Sequence, residues 1–162
     1  MTVRAQFVLA RGFSSALIQL GGGGTKALGY SHVDIVLPTG DLLGARTDYP
    51  VNGQTGVQIR PWGYGNKNWI RRDVFQLAST PDQENVFLNF AKEQLHKPYD
   101  KLAIVAFFTD RDWRDDEAWF CDELLLAATE KAGLCPSLYL PTNKFTPTGA
   151  ACIWSALGAK VL

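Results

Sequence analysis

Two residues of this chain have the types and settings that nucleophilic chemistry needs. His32 opens the apolar run Ser31-His32-Val33-Asp34-Ile35-Val36-Leu37, and Cys121 stands in Trp119-Phe120-Cys121-Asp122-Glu123-Leu124-Leu125, where a helical apolar pattern begins. A helix-start thiol with a strand-borne imidazole is how cysteine nucleophiles are assembled, the base distant in sequence and adjacent in space. Unsatisfied amides and the dipole at a helix start favour a thiolate, by about 1 kcal/mol. Asp116, Glu117, Asp122 and Glu123 pull the other way, because nearby carboxylates penalise a second negative charge. A strongly depressed thiol pKa therefore needs a protonated His32, and the expectation is a thiolate–imidazolium pair. The competing readings are a buried free cysteine and a structural strand histidine. The second histidine, His96, falls at a helix end, where a cation suits the dipole.

The surrounding segments predict the elements that hold these groups. Residues 32–37 and 42–47 flank Pro38-Thr39-Gly40-Asp41 and read as a β-hairpin. With Thr39-Gly40 at the centre of the turn, Thr47 lies opposite His32. Alternation puts His32, Asp34 and Val36 on one face and Val33, Ile35 and Leu37 on the other. Residues 56–60 make a third strand ended by Pro61, and residues 73–77 a short further strand. Between them, Pro61 to Arg72 interleaves aromatics with cations. One reading is a stacking surface for bases or sugars; the favoured one is a loop anchored by its tryptophans. Thr80-Pro81-Asp82-Gln83 carries a capping box and a first-turn proline, followed by the stripe Val86, Phe87, Phe90, Ala91 and Leu95. Pro98 ends that helix. Residues 102–108 form an apolar run that is helix or strand. Residues 119–132 are helical and stopped by Gly133, and residues 150–157 form a final strand or docking helix. Gly21 to Gly24 lack the Gly-Lys-Ser/Thr ending of a phosphate loop and read as a connector.

Composition narrows the partners. The chain has 162 residues, 46% of them hydrophobic, and a formal charge of zero. It reads as one domain, 1–162, with a substantial core, and the neutral balance argues against a nucleic-acid partner. Its three cysteines are odd in number and lack metal-type spacing, so no metal or other cofactor is expected. The thiols read as reduced, in an intracellular or uncovered setting. No apolar run reaches the roughly 18 residues of a membrane span. Arg11 and the glycines at 21–24 disrupt any signal-peptide pattern. The expectation is a protein cytoplasmic as synthesised, delivered elsewhere only by a phage or another system.

Phe13-Ser14-Ser15-Ala16-Leu17-Ile18, Tyr30-Ser31-His32-Val33-Asp34-Ile35-Val36, Lys97-Pro98-Tyr99-Asp100 and Trp119-Phe120-Cys121-Asp122-Glu123-Leu124-Leu125 occur in that order. The set resembles the circularly permuted, NlpC-type papain-like cysteine hydrolases of the YiiX/YebB-like group, which includes phage and prophage proteins. The lecithin-retinol acyltransferase-like proteins share the permuted order, histidine before cysteine. The resemblance covers residues 7–147. It implies an α+β fold with an antiparallel sheet packed on the cysteine-bearing helix, Cys121 as nucleophile, His32 as base and Tyr99 near the oxyanion. Two positions depart from it. Asp122 stands where relatives carry serine, and no acid occupies Gly44 or Ala45, where relatives place a glutamate. For the orienting third member Gln58 ranks first, through its amide oxygen. Asp34 is second and Asp48 third.

The reaction expected on this basis is amide cleavage through an acyl-enzyme, on a peptide or a peptidoglycan stem peptide. A lipid or thioester acyl hydrolase or acyltransferase is the alternative on the same residues. A catalytically inactive binding or structural component, phage-related, is the alternative of a different class.

Overall fold

The computed structural model describes residues 1–11, 29–100, 118–136 and 145–162. Its hairpin shows how local turn chemistry sets the geometry of the site. β2 (His32–Val36) and β3 (Leu42–Val51) are joined through Pro38-Thr39-Gly40. The Leu37 N–H donates to Asp41 O, the Gly40 N–H donates to Leu37 O, and Gly40 sits at φ 91°. A three-residue loop of this kind needs a left-handed final residue, which glycine supplies without steric cost. The register is Ile35–Leu43 and Val36–Leu42, one residue away from the expected pairing. A one-residue shift exchanges the faces of a whole strand. Continuing the observed register sets Gly44 beside Asp34 and Arg46, not Thr47, beside His32.

β1 (Thr2–Ala10) pairs with β2 on one side and with β5 (Trp69–Ala78) on the other. With β4 (Gln54–Arg60) and the short β6 (Lys160–Val161) the strands form an antiparallel sheet in the order β4-β3-β2-β1-β5-β6. β1 was not foreseen as a strand. Both of its faces are buried from Ala5 onward, so the polar half of the usual alternation is muted.

Among the described residues, three helices pack on one face of this sheet: α1 (Pro81–Glu93), α2 (Cys121–Lys131) and α3 (Pro147–Ala156). The Thr80 hydroxyl accepts from the Gln83 N–H, and the Gln83 side chain accepts from the Thr80 N–H, completing the expected capping box. α1 buries Phe87, Leu88 and Ala91, while Val86 faces solvent. α2 runs to Lys131 and is terminated by Gly133 at φ 64°. The last apolar segment is a helix, with Thr146 accepting from the Gly149 N–H. Val33, Ile35, Leu43, Ala45 and Val57 meet Cys121, Leu124, Leu125 and Ala128 in one core. The architecture is therefore α+β, with the antiparallel sheet packed on the helix that carries Cys121. Among the described residues, no helix is long and apolar enough to cross a membrane.

Candidate active site

On the other face of β2, alternation turns His32 and Asp34 away from the helix layer. His32 is 5% exposed and Asp34 1%. His32 Nε2 lies 2.8 Å from Asp34 Oδ1. Burial alone would push the Asp34 carboxyl upward, but His32, Arg46 and Tyr64 outweigh it and hold the carboxyl below its ordinary value. An ionised Asp34 can only accept, so Nε2 carries the proton and Nδ1 keeps its lone pair. Burial, and then the Arg46 guanidinium, push the His32 pKa down, against the pull of Asp34. The imidazole is thus held toward its neutral form, with the lone pair on Nδ1.

A loop and a strand complete this cluster. Tyr64 donates to Asp34 Oδ2 at 2.9 Å and lies 3.4 Å from His32 Nε2. Arg46 Nη1 donates to the Tyr64 hydroxyl at 3.1 Å, and its remaining nitrogens grip Asp48. Burial, followed by the Asp34 charge, raises the Tyr64 phenol, so it stays a donor. Tyr64 lies between Gly63, at φ 80°, and Gly65, whose Cα packs so tightly against Trp69 that a Cβ would overlap the indole. Of the two tryptophans expected to anchor this segment, Trp69 packs against Tyr64 and Gly65 while Trp62 is exposed, and the loop delivers Tyr64 to His32. Arg46 and Tyr64 were not foreseen as site residues. The only signal for Tyr64 was its place between two glycines, and Arg46 was hidden by the register.

His32 hydrogen-bonds Asp34, and among the described residues no hydrogen bond joins it to Gln58. Gln58 lies on β4 across from Gly44, with its Nε2 buried and without a hydrogen-bond partner among the described residues. Asp48 holds Arg46 rather than His32.

Cys121 is the first residue of α2, and Glu123 caps the helix start by accepting from the Phe120 N–H at 3.3 Å. The thiol is 3% exposed and contacts Asp122 Oδ1 at 3.7 Å. Burial and then Asp122 raise its pKa well above the ordinary thiol value, and the backbone of Val33 opposes them. Burial also raises Asp122 well above the carboxylate range, and its Oδ2 has no hydrogen-bond partner among the described residues. The expected thiolate–imidazolium pair is therefore replaced by a neutral thiol and a neutral imidazole, because desolvation opposes charge on both. Tyr99 is bridged to Trp119 beside the helix start, with its ring 5.4 Å from that of Phe120. Burial, then Cys121 and Asp122, push its phenol upward, so it too remains a donor.

The two halves adjoin through β2: Val33 packs on the helix side with Cys121, whereas its neighbour His32 projects from the opposite face. Val33, whose backbone faces the thiol, is the residue next to His32, and the charges of Arg46 and Asp34 act on Cys121. Val33 lies beyond the last pair of the two-pair β2–β3 ladder. Among the described residues, no hydrogen bond joins Cys121 to His32. The segments 13–18 and 102–108 singled out in the sequence lie outside the described residues.

The fold matches a solved structure described as the metalloprotein YiiX from Escherichia coli O157:H7, a DUF1105 protein, with a TM-score of 0.63 and 18% sequence identity. The match covers 100% of this chain and 96% of that one. No protein-family model matches the sequence, and no curated protein does. A YiiX-like fold is therefore shared. The donors described here do not suit a metal ion. No group of three or more His, Cys, Asp or Glu converges among the described residues, and the Arg46 guanidinium stands beside the His32–Asp34 pair.

Proposed function

We propose that this chain is a cysteine hydrolase with the permuted papain-like arrangement, using Cys121 as nucleophile, His32 as base and Asp34 as the residue that orients the base. One observation carries the reading. His32 donates Nε2–H to Asp34 and keeps Nδ1 as a base, while the residue beside it meets the Cys121 thiol. Both groups are neutral at rest, so activation is by general base rather than by a preformed ion pair. His32 Nδ1 takes the thiol proton as Sγ bonds to the substrate carbonyl carbon. The proton then passes to the leaving amine or alcohol as its bond to carbon breaks. Water attacks the thioester, returning a proton through His32 and releasing the carboxylic acid. The α2 amides and the Tyr99 hydroxyl serve the oxyanion. Because His32 projects from the face of β2 opposite the helix layer, this reading requires the imidazole to swing toward Sγ when substrate binds, not only to tighten an existing contact.

The substrate class proposed first is an amide, in a peptide or a peptidoglycan stem peptide, with an acyl ester or thioester second. The test is intact-protein mass spectrometry after incubation with an activated acetyl ester and with a stem tetrapeptide. Wild type gains an acyl group on Cys121; Cys121→Ala and His32→Ala do not. A wild type that stays unacylated, with Cys121 resisting iodoacetamide until the chain is unfolded, would sink the hydrolase. It would leave the second reading, a non-catalytic binding or structural protein, which the burial of the thiol favours.

A further inference from the structure

The polar face of the sheet carries one row of residues across four strands. Gln6 on β1 pairs with Asp34 on β2, and Gly44 on β3 pairs with Gln58 on β4. Three of the four carry long or polar side chains, and all four are buried. Glycine in a strand interior gives up both conformational entropy and side-chain packing, so it needs a reason. Gly44 is not among the residues with positive φ, so the backbone conformation does not require it. The reason is room. A Cβ on Gly44 would overlap Asp34 Oδ1 and lie 3.1 Å from Asp34 Cγ. The Asp34 carboxylate crosses from its own strand into the space above Gly44, and from there it meets both His32 and Tyr64.

We infer that Gly44 is a positioning residue, its missing side chain being what allows Asp34 to hold the His32 imidazole. This rests on the proposed role of His32 as base. It also means that a carboxylate carried by residue 44 itself would enter the space that Asp34 now fills. The atom in collision is the far end of the Asp34 side chain, so Gly44→Ala displaces the carboxylate rather than the sheet.

The experiment is a double-mutant cycle on the full chain, read by the 15N resonances of the His32 ring and by Cys121-dependent hydrolysis of an activated ester. Gly44→Ala is expected to shift the ring resonances as Asp34→Ala does and to slow hydrolysis about 10- to 100-fold, less than the roughly 100- to 10,000-fold of a whole general-base contribution because the imidazole itself remains. In the Asp34→Ala background, Gly44→Ala is expected to change neither signal. Asp34→Ala combined with Gly44→Asp is expected to move the resonances back toward wild type and to recover about 10-fold in rate. Wild-type ring resonances in Gly44→Ala would overturn the inference. So would a Gly44→Ala chain that fails to fold in both backgrounds, because the room would then serve something other than Asp34. If the resonances follow the expected pattern while wild type never hydrolyses the ester, the positioning role stands and the hydrolase reading falls.

Discussion

Asp34 and Asp122 are the same side chain at the same depth, 1% and 0% exposed, on either side of the proposed chemistry. Asp34 spends one oxygen on His32 and the other on Tyr64, with Arg46 behind the phenol, and its carboxyl is held low. Asp122 faces a thiol and the neighbouring Glu123, keeps one oxygen without a hydrogen-bond partner among the described residues, and its carboxyl is pushed high. Burial raises both; what differs is the supply of donors and positive charge. The lesson is that one half of the site is built around a fixed negative charge that holds the His32 imidazole, the proposed base. The other half suppresses charge and keeps Cys121 a protonated thiol.

Removing Asp34 should break this contrast most severely. Asp34→Ala strips His32 and Tyr64 of their acceptor and leaves Arg46 less well balanced, at a cost of about 3–5 kcal/mol for disrupting a buried charged cluster. Urea unfolding at pH 7 measures it. The pH dependence carries a second signature. His32 has a folded pKa below its unfolded value of 6.5, so its contribution is present above about pH 6.5 and is lost as pH falls through the folded value. Asp34 is likewise depressed below 3.8, and its contribution is lost at still lower pH. Wild type should therefore lose stability in two acid legs, and Asp34→Ala should lack the lower one. A variant as stable as wild type at pH 7 would show the cluster to be dispensable.

That contrast was only partly legible in the sequence. The Thr80 capping box, the hairpin and the placing of Cys121 in the first turn of a helix could be read, because each depends on residues close together in the chain. The row of residues around Asp34 could not. Shifting one turn residue exchanges Ala45 and Thr47 for Gly44 and Arg46, and with them the room for a carboxylate and the charge beside the imidazole. Gln58 looked suitable as an orienting residue because it sits on a neighbouring strand, yet Asp34 reaches His32 along its own strand. Tyr64 arrives from a loop whose path is set by packing against Trp69. The charge states of His32 and Cys121 depend on desolvation, which no local pattern displays. β1 was missed for a related reason, since a strand buried on both faces loses its alternation.

A milder change sharpens the comparison without emptying the site. Tyr64→Phe keeps the ring against Trp69 and removes one hydroxyl, leaving Asp34 Oδ2 and Arg46 Nη1 each short of a partner. The expected loss is about 1–2 kcal/mol in urea unfolding. With the donor to Asp34 gone, more of the His32 Nε2–H bond falls on that carboxylate, and the Nε2 resonance should shift while the tautomer stays the same. An Nδ1–H tautomer in the variant would show that Tyr64, rather than Asp34, sets the imidazole.

The smallest expected effect, and the most informative about the Cys121 half, is a gain. Asp122 has a folded pKa raised well above 3.8, so the fold prefers it protonated. Its favourable contribution is complete below about pH 4 and is lost as pH rises toward the folded value, which leaves a cost at neutral pH. Asp122→Asn removes that cost and should stabilise the protein at pH 7 by on the order of 1 kcal/mol, with the advantage vanishing near pH 4. Asp122 also raises the Cys121 pKa, so iodoacetamide labelling of the variant should begin at lower pH than in wild type. If stability rises while the labelling profile stays where it was, burial alone governs the thiol and Asp122 is only a structural burden. If both move, this carboxyl is what keeps Cys121 quiet, and the neutral half of the site is a property of one residue rather than of the whole helix start.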